Sequence, residues 1–452
     1  MAKPSAPGSK DGGTGTDPSA RALRLHAFYK GKVQVLPKCP VRDPGDFAVW
    51  YTPGVAAPCR AIAADPASVY DHTNKGNAVA IVSDGSRVLG LGDIGPEAGL
   101  PVMEGKALLF KYLGGVDAVP LCIEARETDD IVRVAAALTP SFGGINLEDI
   151  AQPKCFRVLE ALQRTSTIPV WHDDQQGSAT AALAGLLNAL KIVGKDLRTA
   201  RIALVGIGAA NVATYRLLRS FGADPAAIVA CDSKGTLHRD RSDIAERRDL
   251  FPEKWRVCEE TNPDGVTGGI DAALRGADAC LAFSRPGPGT IRPEWVAGMA
   301  EDAIVFACAN PVPEIWPDQA SAAGARIVAT GRSDFPNQVN NSLVFPGLFR
   351  GVLDVRARAI TDGMAEAAAH ALAGFAERRG LRADAILPRM EDWEVAALVA
   401  AAVGARAARD GLAANPGEER ALFEGAVRRI REAREATHAL MREGFIAPAP
   451  AS

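Results

Sequence analysis

The chain has 452 residues, 47% of them hydrophobic and 23% charged, with a formal net charge of −3. That length leaves room for two or three domains around a sizeable core. The near-neutral charge argues against a general nucleic-acid binder, no run of about eighteen apolar residues predicts a membrane span, and no basic-then-apolar N-terminus predicts a secretory signal. The 8 cysteines form no Cys-x-x-Cys pair. They read as reduced core thiols of a cytoplasmic protein rather than a zinc framework.

Residues 1–20 hold almost nothing apolar and are expected to form a disordered tail. A helix is predicted from 21 to 30 and a short extended segment from 32 to 38. Thr52-Pro53-Gly54 is a turn signal that places Tyr51 at the edge of an element. A tyrosine there is more often a core residue with a surface hydroxyl than a catalytic acid. Residues 77–83 read as a buried strand. The alternating glycines from 84 to 95 predict a hairpin-like pair with Arg87 near its turn. Arg87 is then either a solvated charge or a fork for a carboxylate. Lys106 is expected in the first turn of the apolar helix that follows. It is a surface group there unless burial lowers its pKa enough to make it a base.

A strand over 116–124 and a helix over 129–138 lead into two acidic motifs. Glu148-Asp149 follows the glycine pair Gly143-Gly144, and Asp173-Asp174 follows Trp171-His172. A helix over 156–164 and a strand over 168–171 separate them, which is α/β alternation. A lone Asp-Asp more often caps a helix or faces water. Two acidic pairs at the ends of apolar segments would repel one another unless a cation lay between them. An all-oxygen set suits Mg²⁺ or Mn²⁺ rather than Zn²⁺.

A long alanine-leucine helix over 178–193 reads as a buried spine. Beyond it, a strand over 200–205, the turn Gly206-Ile207-Gly208-Ala209-Ala210-Asn211, a helix to 221 and a strand over 227–231 ending at Asp232 make a βαβ unit. Its glycines permit the tight turn and a close approach of backbone amides to a pyrophosphate. Asn211 stands where a small residue is usual. Further strands over 279–283, 303–307 and 327–329 end in loops carrying Asn310, Asn340 and Asn341. These are ligand contacts at a sheet end or turn asparagines. From 347 onward the chain reads as helices (356–378, 393–409 and 416–444), the last charged on most faces.

Tyr-Thr-Pro-Gly-Val (51–55), Leu-Gly-Leu-Gly-Asp-Ile-Gly-Pro (89–96), Pro-Val-Met-Glu-Gly-Lys (101–106), Gly-Gly-Ile-Asn-Leu-Glu-Asp-Ile (143–150), His-Asp-Asp-Gln (172–175), Cys-Asp-Ser-Lys-Gly (231–235), Ala-Asn-Pro (309–311) and Gly-Arg-Ser-Asp-Phe-Pro-Asn-Gln-Val-Asn-Asn (331–341) occur in that order. In these stretches the chain resembles the bacterial and archaeal malic enzymes. The resemblance implies an N-terminal α/β malic domain (21–180), a Rossmann-like doubly wound NAD(P)-binding domain (181–350) and a C-terminal helical segment (351–452). It implies oxidative decarboxylation of malate to pyruvate and CO₂ with NAD⁺ or NADP⁺, Mg²⁺ or Mn²⁺, no nucleic acid or membrane partner, and a homodimer or larger.

By position, Glu148, Asp149 and Asp174 would be the metal ligands. Lys106 would be the base and Tyr51 the acid, with Asp173 either a partner behind the metal ligands or an assistant to the base. Arg87, Asn310 and Asn341 would hold malate. Gly206, Gly208, Ala209, Ala210, Asn211, Asp232, Ser233, Lys234 and Asn310 would meet the cofactor. Asp232 suits the ribose hydroxyls of NAD⁺, whereas Ser233 and Lys234 suit a 2′-phosphate and incline the expectation to NADP⁺. Gln176 and Ser178 stand where the family usually has His and Thr. A malolactic reaction, with lactate leaving, would use the same residues.

Overall fold

The computed structural model describes residues 18–450, and among them ten strands form two sheets. The first sheet holds β1 (Ala78–Ser83), β2 (Asp117–Cys122), β3 (Gly144–Leu147) and β4 (Val170–His172) in the order β2-β1-β3-β4, every pair parallel. β1 is buried throughout because both faces are covered. Val79 and Ile81 enter the large central core with Met103 and Phe110, while Ala80 and Val82 meet Ile131, Val158 and Leu159 on the other side. Parallel pairing sends the C-terminal ends of β1, β3 and β4 to one edge, so the segments that begin at Asp84, Glu148 and Asp173 leave the sheet together.

The second sheet runs β10 (Ala325–Thr330), β9 (Ala303–Ala307), β8 (Ala279–Ala282), β5 (Ile202–Val205), β6 (Ile228–Asp232) and β7 (Gly235–Thr236). Only β7 is antiparallel. The order reverses between β5 and β8, which opens a crevice at that point, where doubly wound sheets bind ligands. The helix Ser178–Ile192 joins the sheets and is buried along most of its length. A Cβ on its Gly185 would lie 3.2 Å from Phe306 of β9.

Several expectations need correction. The predicted tail falls mainly outside the described residues, and positions 18–20 already belong to the helix Pro18–Tyr29. Residues 32–38 pair with no strand, and Val35 is exposed. The 84–95 segment is a looped turn with a single antiparallel bridge between Val88 and Gly92, not a hairpin. Lys106 sits deep inside the helix Pro96–Gly114, which begins well before Pro101. Burial of Met103, Lys106, Ala107 and Phe110 along one face outweighs the missing hydrogen bond at that proline. The last helix, Glu419–Arg442, buries a narrow stripe of Ala426, Ile430 and Ala433. It packs back on the first domain, where a Cβ at Gly115 would stand 2.9 Å from the Arg429 carbonyl.

Candidate active site

Three strand ends and one helix build an acidic pocket. Carboxylate oxygens of Glu148, Asp149 and Asp174 lie within 4.8 Å of one another. The Asp149 amide donates to Asp174 Oδ2 at 2.8 Å, and the Asp149 carbonyl accepts from the Arg87 amide at 3.0 Å. Asp149 itself has φ 54°, in the left-handed region that non-glycine residues rarely occupy. That backbone turn aims its carboxylate into the pocket, where Oδ2 is buried without a hydrogen-bond partner. Burial first, and the neighbouring Asp174 charge second, push Asp149 up to about 8. Burial likewise raises Glu148, Asp173 and Asp174. A divalent cation fits this donor set: it would partner the orphaned oxygen and offset the mutual repulsion.

Among the described residues, Lys106 is the one buried cation facing these four acids. Its Nζ lies 2.8 Å from Glu148 Oε2 and donates to Asp173 Oδ2. The ammonium also sits 4.3 Å from the centre of the Phe345 ring. Burial alone would lower its pKa, but the Asp173 and Glu148 charges outweigh burial and hold it above the ordinary lysine value. Asp173 is fully buried and accepts from Trp171 Nε1 at 2.9 Å, so its second oxygen is pinned. Gly177 is required here by space, since a Cβ would meet Asp173 Oδ1 at 2.0 Å and the Asn341 side chain at 3.0 Å. That contact also brings Asn341 beside Asp173. Gln176 is buried and accepts from the His172 amide at 3.1 Å, steadying the π turn Asp173–Gly177.

Arg87 is exposed, its guanidinium donating to the Leu89 carbonyl at 2.9 Å, and its charge favours ionisation of Asp149 and Asp174. Across the cleft, Gly90 of the same loop packs so tightly on Asn310 that a Cβ would lie 2.6 Å from the Asn310 carbonyl. The loop after β9 therefore lies against the loop that carries Arg87. Tyr51 stands apart. It is 71% exposed at the end of the short helix Phe47–Trp50, and its hydroxyl makes no hydrogen bond among the described residues.

The glycine turn lies at the sheet reversal. Gly206 has φ 84°, and a Cβ there would lie 2.7 Å from the Phe283 carbonyl and 2.8 Å from Ser284 Cβ. The turn opens the helix Ala209–Ser220, whose start at Gly208, Ala209 and Ala210 carries no side-chain cap and leaves its amides available to an anion. The Asn211 side chain is turned inward, beneath the turn. Its amide donates to the Val205, Gly206 and Leu281 carbonyls at 3.1, 2.9 and 3.1 Å, tying β5 to β8 beneath the turn.

Asp232 at the end of β6 is already engaged. It accepts from Arg241 Nη2 at 3.1 Å, from Lys254 Nζ and from the Lys234 amide at 2.9 Å. Lys234 Nζ pairs with Asp243 at 3.0 Å, and Ser233 is exposed. Sequence reasoning did not find Arg241 or Lys254, because no motif links them to Asp232. It also passed over Glu314, although an acid in the apolar, proline-rich loop after β9 was a legible signal.

A Rossmann-like sheet beside a second parallel sheet with a buried lysine-carboxylate pocket defines a dinucleotide-linked dehydrogenase. Residues 30–129 match the malic enzyme N-terminal domain and residues 175–408 the malic enzyme NAD binding domain. The chain is 47% identical over 392 residues to a bifunctional malic/malolactic enzyme of Bacillus subtilis, covering 87% of this chain and 93% of that one. It is 47% identical over 396 residues to an NAD-dependent malic enzyme of Geobacillus stearothermophilus, covering 87% and 80%. Among solved structures, the malic enzyme of Entamoeba histolytica superposes with a TM-score of 0.92 at 47% identity, covering 95% of this chain and 89% of that one. That of Pyrococcus horikoshii gives 0.87 at 48% identity, covering 93% and 99%. The chain belongs to the malic enzyme family. Its activity is the oxidative decarboxylation of malate with reduction of NAD(P)⁺.

Proposed function

We propose that L-malate binds between the two sheets and that Lys106, Asp173 and Tyr51 move its protons. The observation that carries this reading is the buried Lys106, clasped by Asp173 beside three carboxylates that share one small space. Glu148, Asp149 and Asp174 would hold Mg²⁺ or Mn²⁺, which would supply Lewis acidity at the malate hydroxyl and at the keto oxygen that replaces it. Lys106 must be neutral to take the hydroxyl proton as hydride leaves C2, and Asp173 is in contact to accept the proton that Lys106 carries. Arg87, Asn310 and Asn341 line the cleft for the substrate carboxylates. Loss of CO₂ leaves an enol that needs a proton at C3, the role assigned to Tyr51.

Tyr51 stands outside the cluster within one chain, and exposed apolar side chains are dense in the chain segment that leads to it: Val33, Val35, Leu36, Phe47, Val49 and Trp50. That density supports a homodimer or larger that covers this segment and in which a second copy brings the hydroxyl to the site. A cytoplasmic setting is supported by eight free cysteines. No helix among the described residues is long and apolar enough to cross a membrane.

NADP⁺ is the proposed cofactor. Arg241 and Lys254 already neutralise Asp232, so the acid that would select the ribose hydroxyls of NAD⁺ is occupied. With Lys234 they set three cations against Asp232 and Asp243, a surplus that suits a 2′-phosphate. The test is the rate of nicotinamide reduction with L-malate, Mn²⁺ and either cofactor, with pyruvate and lactate measured in parallel. Equimolar pyruvate and NADPH are expected, with NADP⁺ preferred; lactate without net reduction would favour the malolactic reaction. Arg241→Ala frees Asp232 to repel the phosphate and should lower kcat/KM for NADP⁺ relative to NAD⁺ by at least about tenfold. An unchanged ratio would remove the assignment.

A further inference from the structure

Glu314 is a buried acid that the chemistry above does not use. It lies in the loop after β9, fully buried, in the stretch Asn310-Pro311-Val312-Pro313-Glu314. Its two oxygens serve different loops. Oε1 accepts from the Ser284 amide at 2.8 Å and from the Ser284 hydroxyl at 3.0 Å, at the end of β8. Oε2 accepts from the Ala309 amide at 3.0 Å, at the end of β9. The same two loops are zipped by backbone bonds, Gly287 N to Val312 O at 3.2 Å and Ile291 N to Glu314 O at 3.1 Å.

Each loop leads to half of the active site. Ser284 is the residue on which Gly206 rests, its Cβ 2.8 Å from where a Gly206 Cβ would be. Ala309 precedes Asn310, which packs under Gly90 of the Arg87 loop. Asn310 is further confined by Gly331, where a Cβ would lie 2.7 Å from Asn310 Nδ2. Arg332 Nη1 donates to the Pro311 carbonyl at 2.7 Å. One carboxylate thus stands behind both the turn proposed for the dinucleotide and the asparagine proposed for malate.

We infer that Glu314 is a positioning residue that holds the dinucleotide turn and the Asn310 loop in register, so that hydride donor and acceptor meet at a set distance. The inference rests on the proposed assignment of Asn310 to malate and of the Gly206 turn to the dinucleotide. Two N–H groups and a hydroxyl converge on the carboxylate, a donor set that only a two-oxygen acceptor satisfies. A hydrophobic residue would leave both amides unpaired.

The chemistry of the two arms predicts a crossed pattern. In Glu314→Gln the single carbonyl goes to Ser284, where two donors wait, and the amide NH₂ is left facing the Ala309 N–H. The Asn310 side loosens: malate kcat/KM should fall at least about tenfold, while the NADPH dissociation constant stays within about threefold. The primary isotope effect on kcat from malate deuterated at C2 should rise, since hydride transfer is the step that slows. Ser284→Ala keeps the carboxylate and both amide bonds, so it serves even if Glu314→Gln fails to fold. It should weaken NADPH binding several-fold and leave the malate KM at saturating cofactor unchanged. Equal losses on both sides in either variant, or wild-type malate kinetics in Glu314→Gln, would overturn the inference. Asn310→Ala separates it from the reading beneath it. Wild-type kinetics there overturn the malate assignment and this arm with it, whereas a damaged Asn310→Ala beside an intact Glu314→Gln overturns the link alone.

Discussion

Lys106→Ala is expected to lower malate oxidation by about 10²- to 10⁴-fold while leaving dinucleotide binding nearly intact. The size follows from removing the proton acceptor. The selectivity follows from place, because Lys106 lies in the helix Pro96–Gly114 of the first domain and the glycine turn lies in the second. The same substitution strips Glu148 and Asp173 of their counter-charge, and breaking a buried pair costs about 3–5 kcal/mol. Thermal melting with and without Mn²⁺ therefore accompanies the kinetics: a folded variant that binds NADPH but turns over slowly has lost its base. Near-normal turnover would show that another group takes the hydroxyl proton.

Asp174→Ala should weaken Mn²⁺ binding by at least about 100-fold, more than loss of a supporting residue costs. It removes one of the three clustered carboxylates and also frees the Asp149 amide that Asp174 holds at 2.8 Å. Asp173→Asn is the contrast. Its neighbours are Lys106 and Trp171 and it stands outside the three-carboxylate cluster, so Mn²⁺ affinity should stay within a few-fold even as turnover falls. Equal Mn²⁺ titrations for Asp174→Ala and the parent would end the ligand assignment.

The pH dependence has a definite sign. Asp149 is raised to about 8, so the metal-free fold binds its proton more tightly than the unfolded chain does. Between the ordinary carboxylate range and about 8, metal-free stability should fall as pH rises. Mn²⁺ must displace that proton, so its affinity should climb over the same window and level off above it. Calorimetry in buffers of different ionisation enthalpy reads the proton released.

The sequence carried the parts of this protein that depend on local chemistry. Buried parallel strands announce themselves as short apolar runs, which is why β1 and β9 lie close to where the pattern places them. The carboxylates that cluster are the ones whose motifs sit at strand ends. The errors also have physical causes. Lys106 reads as a first-turn residue, yet packing of one apolar face carries its helix back through Pro101 to Pro96. The glycines around Arg87 read as a hairpin, yet they serve a loop that has to pass close to Asn310. Asn211 reads as a poor choice for a glycine turn, yet its amide satisfies three carbonyls at once.

What the sequence by itself determined is therefore the family and the α/β fold, together with the residues proposed for the chemistry, because residue type and spacing suffice for those. Tertiary structure alone decided that Lys106 lies between Asp173 and Glu148, that Asp232 is taken by Arg241 and Lys254, that Tyr51 is left outside, and that Glu314 ties two loops together. Each of these follows from where the folded chain sets one side chain against another, as when the parallel sheet brings the ends of β3 and β4 beside the helix that carries Lys106, 67 residues before Asp173, and no residue type or spacing encodes it.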